Sequence, residues 1–505
     1  MRRSIIGATR HKTSVLVLVV CIAGLMLTLG IPASASAHAT TTSAGASWRS
    51  HTIVVLPNGY NDTTDIQAAF TTCTSHNWVC TIQLVKGTYY TAQVTAFGFR
   101  GNFVGAGQGR TIIQALPNLP APAAAYNTPS SPFWVAAPGP SNPWPDLFTF
   151  ENGTFTISGM TVNDSYSDSI ASPGWYDYGA TTPSTALYTA IEVTGLQAFV
   201  TIDHVTVLGT SGDASGTNMW DAIGYEGMIL PPGWTNALAQ RILLTGTFSV
   251  TNSLFSSVES GPWTDFLISA TVTVCYNTIT SSPGPLGFFD VSNSQLLFCG
   301  NHVSGVQFYT AFEALQSDIV PGLLPSTVYI TGNDFQVSDG ANAVWLEDFG
   351  QVNFGTAPTL SAVVSGNVFQ TDTSCGCYVG SLPGTYSVLL SISLASLAVS
   401  QNTILDGGAA GVYVDGGPGV VSGNTILGSY VGVNLNSTDS VHVTGNVIKN
   451  SAWWGIALTN ASSYNVVAFN LVKGSGQYDL YWDGTGTGNV WFGNMCKTSS
   501  PPGLC

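Results

Sequence analysis

A short phrase that ends in asparagine recurs through the second half of the chain, and it constrains the fold more than any other feature. Typical copies are Val364-Ser365-Gly366-Asn367 and Val443-Thr444-Gly445-Asn446. The steps between successive asparagines are 24, 32, 34, 35, 22, 22, 24 and 24 residues. A period in the low twenties with longer members predicts a solenoid whose extra residues form loops. The asparagines are Asn277, Asn301, Asn333, Asn367, Asn402, Asn424, Asn446, Asn470 and Asn494.

The N-terminus has the features of a secretion signal. Arg2, Arg3, Arg10 and Lys12 precede an apolar run over residues 15–31, and Ala35-Ser36-Ala37 supplies the small residues that a signal peptidase reads. An uncleaved membrane anchor is the alternative, because the run is close to the length that spans a bilayer. We expect cleavage and a secreted, extracellular protein with no membrane attachment afterwards.

The remaining chain is acidic and poor in charge. Without the leader it has eight Lys and Arg against 27 Asp and Glu, a net charge of −19. This balance argues against nucleic acid as a partner. Charged residues make up only 8% of the whole chain, far below the roughly 25% of ordinary soluble domains.

Eight cysteines follow the leader, an even number typical of a disulfide framework. Local pairing predicts four bridges. Cys275 and Cys299 each stand two places before a repeat asparagine, so they should stack in neighbouring coils about 4.8 Å apart. For Cys375 and Cys377, whose ring would be very small, a metal site or other partners stay open. The predicted pairs are Cys73 with Cys80, Cys275 with Cys299, Cys375 with Cys377, and Cys496 with Cys505.

The pattern predicts three short strands in each coil, because apolar residues alternate in segments of four to six residues that are separated by Gly, Asn, Ser or Asp. Stacked asparagines at one turn can hydrogen-bond along the stack and satisfy backbone groups that a buried turn would leave unpaired. We therefore interpret the asparagines as scaffold.

The pattern resembles the right-handed parallel β-helix of the pectate-lyase-like superfamily over most of the mature chain. Residues 61–70, 82–90 and 105–113 resemble the entry segment of that family: a capping helix, first strands and a glycine-rich turn. A cap is needed because an open solenoid end exposes strand edges and apolar core. We predict an all-β, right-handed parallel β-helix of three-strand coils with an N-terminal capping helix. Its parts are a signal peptide (1–37), the cap with the first coils (38–115), and a repeat region with long loop insertions (116–505).

The resemblance implies a substrate groove along one parallel sheet, formed by the strand that follows the asparagine turn. Strand alternation divides its outward residues into two columns. Aromatic rings and carboxylates interleave there, a composition suited to sugars. One column reads Glu192, Phe289, Glu313, Trp345, Tyr413, Asn434 and Tyr481, and the other reads Thr194, Val291, Leu315, Glu347, Asp415, Asn436 and Asp483. We predict Glu192, Trp345, Tyr413, Asp415, Asn434 and Tyr481 as substrate-binding residues.

Glu313 and Glu347 are the candidate catalytic residues. They lie in adjacent coils, displaced by two residues, which places their backbones about 8 Å apart. Carboxyl groups about 6.5 to 9.5 Å apart suit inverting glycoside hydrolysis, one as acid and the other as base; the backbone estimate leaves the shorter retaining distance open. Asp348, beside Glu347, is expected to raise the pKa of Glu347 by like-charge repulsion. The alternative is that these carboxylates only solubilise the sheet.

Hydrolysis of a neutral or weakly charged polysaccharide is the preferred function. Lyase chemistry is less favoured, because the two columns contain no Lys or Arg to assist at a uronate, and an acidic protein repels acidic glycans unless calcium bridges them. The other readings are a non-catalytic glycan-binding protein and a structural cell-surface protein. We expect a monomer whose partner is a polysaccharide or cell-surface glycan; no cofactor is required, and calcium is left open.

Overall fold

The chain winds into coils whose strands stack in parallel on three faces. The computed structural model describes residues 51–116, 147–163, 187–209, 219–226, 228–229, 241–242, 245–257, 260–265, 267, 269–280, 286–289, 293–306, 309–316, 325–338, 341–348, 357–372 and 388–505. The predicted leader, most of the residues of the long early insertions, and Cys375 and Cys377 lie outside these ranges.

A helix and five strands begin the described chain. The predicted capping helix is confirmed: α1 spans Thr63–Ser75 and covers the first coils with Ile66 and Phe70. The ring of Phe70 lies 5.0 Å from that of Phe99 and 5.1 Å from that of Phe103. Burying such a side chain contributes about 2 kcal/mol or more. The strands are β1 (His51–Val55), β2 (Cys80–Leu84), β3 (Gly87–Thr91), β4 (Val94–Val104) and β5 (Thr111–Ala115).

Three long or irregular strands and a small ribbon come next. The strands β6 (Phe148–Asn163) and β7 (Leu187–Leu208) bend through all three faces, so each supplies a whole coil. They are followed by β8 (Met219–Glu226) and by an antiparallel ribbon of β9 (Met228–Ile229) and β10 (Arg241–Ile242).

From residue 245 onward each coil contributes one short strand to each face. Face B carries the strands before the asparagine turn, face C those directly after it, and face A the next ones along the chain. Face B is built from β11 (Thr245–Thr251), β14 (Thr271–Cys275), β17 (Gln295–Cys299), β20 (Ser326–Thr331), β23 (Leu360–Ser365), β26 (Ser396–Ser400), β29 (Gly419–Ser422), β32 (Val441–Thr444), β35 (Val466–Ala468) and β38 (Val490–Phe492).

Face C contains β12 (Leu254–Ser256), β15 (Thr278–Thr280), β18 (His302–Val306), β21 (Asp334–Ser338), β24 (Val368–Asp372), β27 (Thr403–Leu405), β30 (Thr425–Leu427), β33 (Val447–Lys449) and β36 (Leu471–Lys473). Face A contains β13 (Ser260–Asp265), β16 (Leu286–Phe289), β19 (Tyr309–Gln316), β22 (Ala341–Asp348), β25 (Leu389–Ile392), β28 (Ala410–Asp415), β31 (Val431–Asn436), β34 (Trp454–Thr459), β37 (Tyr478–Trp482) and β39 (Ser499–Ser500). The predicted site strands thus belong to face A, one strand later than the strand that directly follows the asparagine.

The asparagines form the predicted ladder inside the turn between faces B and C. Asn402 shows the pattern: its Nδ2 donates to Val364 O at 2.9 Å and to Asn424 Oδ1 at 3.0 Å. Its Oδ1 accepts from the backbone N–H and from Nδ2 of Asn367, at 2.9 and 3.0 Å. The same bonds repeat from Asn277 to Asn494. The scaffold interpretation is confirmed, because both ends of each carboxamide are used within the stack.

One disulfide lies near each end of the described coils, and a third joins two adjacent coils between them. Cys275 and Cys299 stand in register with Cα atoms 4.6 Å apart and are bonded. Cys73–Cys80 holds the end of α1, and Cys496–Cys505 holds a terminal loop whose Leu504 packs on the core. Three of the predicted bridges are therefore present, as expected for a protein of an oxidising, extracytoplasmic compartment.

Glycine precedes the asparagine in most coils because that residue has a positive φ. Gly423 has φ 65°, with no heavy atom closer than 3.9 Å to where a Cβ would stand. Gln401 occupies the equivalent position at φ 57°. A side chain in this conformation costs about 1–2 kcal/mol.

We therefore expect Gly423→Gln to lower the free energy of unfolding by about 1 kcal/mol, whereas Gln401→Gly leaves it unchanged or raises it slightly. Urea unfolding of the two variants checks this. If Gly423→Gln unfolds at the wild-type midpoint, the backbone conformation is not what selects glycine here.

Candidate active site

The outer side of face A brings the predicted residues into two register columns. Phe312 and Ala314 belong to the core, so Glu313 and Leu315, which alternate with them along the strand, point outward. The first column runs through Thr149, Glu192, Gly224, Trp263, Gly287, Glu313, Trp345, Leu390, Tyr413, Asn434, Ala457 and Tyr481. The second runs through Glu151, Thr194, Glu226, Asp265, Phe289, Leu315, Glu347, Ile392, Asp415 and Asn436.

The predicted columns are corrected in two respects. Gly287, and not Phe289, stands opposite Glu313, so Phe289 belongs to the second column; Val291 lies outside the described residues. Strands β8, β13, β25 and β34 also belong to face A, although the predicted columns contain no residue from them. Glu192 consequently lies four strands before Glu313 instead of two.

Glu313 and Glu347 are brought together as predicted. Glu313 is opposite Trp345 and Leu315 is opposite Glu347, which gives the expected diagonal between adjacent strands. Only 3% of Glu313 and 7% of Glu347 are exposed. Burial, followed by the charge of Glu347, raises the pKa of Glu313 to about 7. Glu313 therefore holds its proton into the neutral range.

Opposing influences act on Glu347. Burial raises its pKa and the charge of Asp415 raises it further, while the indole of Trp345 lowers it by donating Nε1–H to Oε2 at 3.0 Å. A hydrogen bond to the ionised form favours that form. The net shift of the Glu347 pKa is upward. Of the pair, however, only Glu347 has a side-chain donor that lowers its pKa, which favours Glu313 as the acid and Glu347 as the base.

Asp415 extends this acidic site along the helix axis. It lies in the column of Glu347, with Ile392 between them. Burial raises the pKa of Asp415, whereas side-chain hydrogen bonds from Asn436 and Tyr413 lower it. Tyr413 is itself buried, and burial together with Asp415 raises the pKa of its phenol. The sequence analysis found Asp415 and Tyr413 but did not connect them to Glu347.

Asp348 does not have the role expected for it. It is fully buried, and its Oδ2 accepts the backbone N–H groups of Thr359 (2.7 Å) and Leu360 (2.8 Å). The neighbouring charge that raises the pKa of Glu347 belongs to Asp415. Because successive side chains of a strand point to opposite sides, Asp348 binds the backbone at Thr359 and Leu360 while Glu347 faces the site.

The remaining predicted residues lie further along face A. Asn434 is buried in the strand after Tyr413. Tyr481 stacks on Trp454 with ring centroids 4.1 Å apart and planes 4° apart. An outer cluster of apolar side chains connects this end with the site; it comprises Leu390, Ala410, Tyr413, Val431 and Ala457 together with Trp345, Ile392, Tyr430, Trp454 and Tyr481.

No metal residue is assigned, because within the described ranges no three His, Cys, Asp or Glu side chains are grouped to hold an ion. In the same part of the chain no helix is long and apolar enough to cross a membrane.

The protonation of Glu313 makes stability depend on pH. Between its usual pKa of 4.5 in the unfolded chain and about 7 in the folded one, the folded state binds more protons, so stability falls as pH rises through this window. We expect the melting temperature of the wild type to fall more between pH 4.5 and pH 7.5 than that of Glu313→Gln, whose amide does not titrate. Calorimetry at both pH values checks this; parallel losses in the two proteins would contradict the raised pKa.

These observations define the class of protein: the chain is a right-handed parallel β-helix protein with a buried carboxyl site on one outer face. Residues 323–495 match the family model described as "Right handed beta helix region". The other coils are established by their strand register.

Two solved structures are similar to the chain at low identity. The A-module of the mannuronan C-5 epimerase AlgE4 of Azotobacter vinelandii is 12% identical with a TM-score of 0.38, over 87% of this chain and 92% of that one. The catalytic unit of a GH87 α-1,3-glucanase of Streptomyces thermodiastaticus strain HF3-3 is 12% identical with a TM-score of 0.42, over 91% and 71% of the two chains. The comparison with curated protein sequences gives no match. At these TM-scores the likenesses carry no argument about activity.

Proposed function

We propose that this protein is a secreted glycoside hydrolase that cleaves a neutral or weakly charged polysaccharide on face A. The observation that carries the proposal is the buried pair of Glu313 and Glu347, in which one carboxyl retains its proton near neutrality and the other is supplied with a hydrogen-bond donor. Glycoside hydrolysis requires these two states side by side.

In the proposed reaction Glu313 donates its proton to the glycosidic oxygen as the bond from that oxygen to the anomeric carbon breaks. Glu347 accepts a proton from a water molecule, whose oxygen forms the new bond to the anomeric carbon. The strand offset of about 8 Å leaves room for this water and favours inversion. Trp345 orients Glu347 through its indole N–H.

The lyase alternative receives no support from the charges around the pair. The face A columns contain no Lys or Arg, so a uronate would meet carboxylates without a cation. Calcium could bridge such a substrate, and we therefore propose to include calcium in the assay.

A non-catalytic glycan-binding protein is the second candidate. Trp454 and Tyr481 are partly exposed rings on the outer cluster, and aromatic rings offer apolar faces and edges to sugars. Binding without turnover would favour this candidate.

The deciding experiment is a reducing-end assay combined with absorbance at 235 nm on a polysaccharide panel, with and without calcium. New reducing ends without absorbance, lost in Glu313→Gln/Glu347→Gln, are the expected result. A rise in absorbance would establish a lyase, and no product on any substrate would overturn the hydrolase.

A further inference from the structure

A second group of buried polar side chains lies on face A, toward the N-terminal end of the coils. Glu151 belongs to β6 and projects outward after Phe148 and Phe150, which point into the core. Glu192 projects outward from the adjacent strand β7, displaced by two residues from the position opposite Glu151. Thr189 lies three residues before Glu192 in the same strand. Neither Glu151 nor Thr189 contributes to the proposed catalytic step.

Two atoms of this group are buried without a hydrogen-bond partner among the described residues. They are Oε2 of Glu151, whose residue is 6% exposed, and Oγ1 of Thr189, whose residue is 0% exposed. Each unsatisfied polar atom of this kind costs about 1–3 kcal/mol. Native proteins keep few such atoms, and each calls for an explanation.

Gly224 leaves open the space that the Glu192 carboxylate occupies. It stands opposite Glu192 in strand β8, and a Cβ at this position would lie within 2.0 Å of Oε2 of Glu192 and 3.5 Å from Cγ2 of Thr189. The Glu192 carboxylate therefore extends over the neighbouring strand, into space that only glycine leaves open. This space adjoins the Thr189 side chain.

We propose that Glu151, Thr189 and Glu192 form a second binding station for the hydroxyl groups of a neutral polysaccharide. This inference rests on the proposed function, because it makes the station a distant part of the same substrate-binding face. A sugar hydroxyl both donates and accepts, so it satisfies a carboxyl oxygen and a threonine hydroxyl alike. An acidic sugar would be repelled by the carboxylates.

A metal ion fits this group less well. Burial raises the pKa of Glu151, which disfavours the ionised form that a cation needs. Calcium needs six to eight oxygen ligands, and among the described residues no three His, Cys, Asp or Glu side chains are grouped here to supply them.

The distance between the two sites defines the substrate class. Glu192 lies four strands before Glu313, which corresponds to about 19 Å along the axis. A trisaccharide is too short to reach both. The station therefore selects a polymer that lies along the helix axis.

The test uses the full chain with Glu313→Gln, so that no turnover occurs. Thr189→Val is added, and Thr273→Val, an outward threonine of β14 on face B, is the matched control. Binding is measured by native affinity electrophoresis in dextran, laminarin, galactomannan, xyloglucan or polygalacturonate, and by calorimetric titration with the trisaccharide of any polymer that binds.

We expect at least one neutral polymer to retard the protein and polygalacturonate not to. Thr189→Val should raise the dissociation constant for that polymer about tenfold, the loss of roughly one hydrogen bond, and leave trisaccharide binding unchanged. It should also raise the melting temperature, because it removes a buried hydroxyl without a partner; a purely structural threonine would lower it.

The inference is overturned if no neutral polymer retards the protein, if Thr189→Val binds like Thr273→Val, or if its melting temperature falls while binding is kept. If retention depends on Thr189 but the protein with Glu313 intact turns over no polymer, the station stands and the hydrolase is refuted. If the protein with Glu313 intact turns over a polymer but Thr189→Val has no effect on retention, the hydrolase stands and the station is refuted.

Discussion

Replacing Glu313 with Gln should lower kcat by about a thousandfold, within the range for loss of a general acid, and leave KM nearly unchanged. The amide keeps the shape of a protonated carboxyl but has no proton to give to the leaving oxygen. Because Glu313 is already uncharged below its pKa of about 7, the substitution should not disturb folding at neutral pH. Steady-state kinetics on the polysaccharide identified by the panel measures the loss.

Asp334→Asn is the matched control for this prediction, since Asp334 is a carboxylate on face C whose partner is His302 at 2.9 Å. Its turnover should equal that of the wild type. A Glu313→Gln enzyme that retains more than a tenth of the wild-type kcat would show that another group supplies the proton.

Asn402→Ala should destabilise the protein by about 4 kcal/mol, because four buried hydrogen bonds are lost at about 1 kcal/mol each. The backbone N–H and Nδ2 of Asn367 lose their acceptor, and Val364 O and Asn424 Oδ1 each lose a donor.

Urea unfolding followed by circular dichroism measures this effect, with Gln401→Ala as the exposed neighbouring control. The control should shift the free energy by less than about 0.5 kcal/mol. Similar midpoints for the two variants would mean that the ladder is not a principal source of stability.

The scaffold could be predicted from the sequence because its signals are local and repeat. Asn402 and Asn424 mark the same turn whatever the loop length between them, and Cys275 and Cys299 keep a constant offset from such asparagines. α1 was predicted from the resemblance of residues 61–70 to the entry segment of the family, and the structure shows Ile66 and Phe70 covering one end of the core.

The site was predicted less completely, because the columns of face A follow strands whose distance from the asparagine varies. A shift of two residues misplaced Phe289, and β25, which has no carboxylate, gave no signal at Leu390. Asp348 binds the backbone N–H groups of Thr359 and Leu360, and this contact between distant parts of a coil leaves no mark in the sequence. Glu151 was missed although the alternation of Phe148, Phe150 and Glu151 points it outward.

The most direct test of the account is a titration of Glu313 by NMR of side-chain carboxyl carbons, assigned with Glu313→Gln and repeated in Glu347→Gln. The account predicts a pKa of about 7 that falls when Glu347 loses its charge. A Glu313 that titrates near 4.5 in both proteins would contradict it, because a carboxyl ionised at neutral pH cannot serve as the proposed acid.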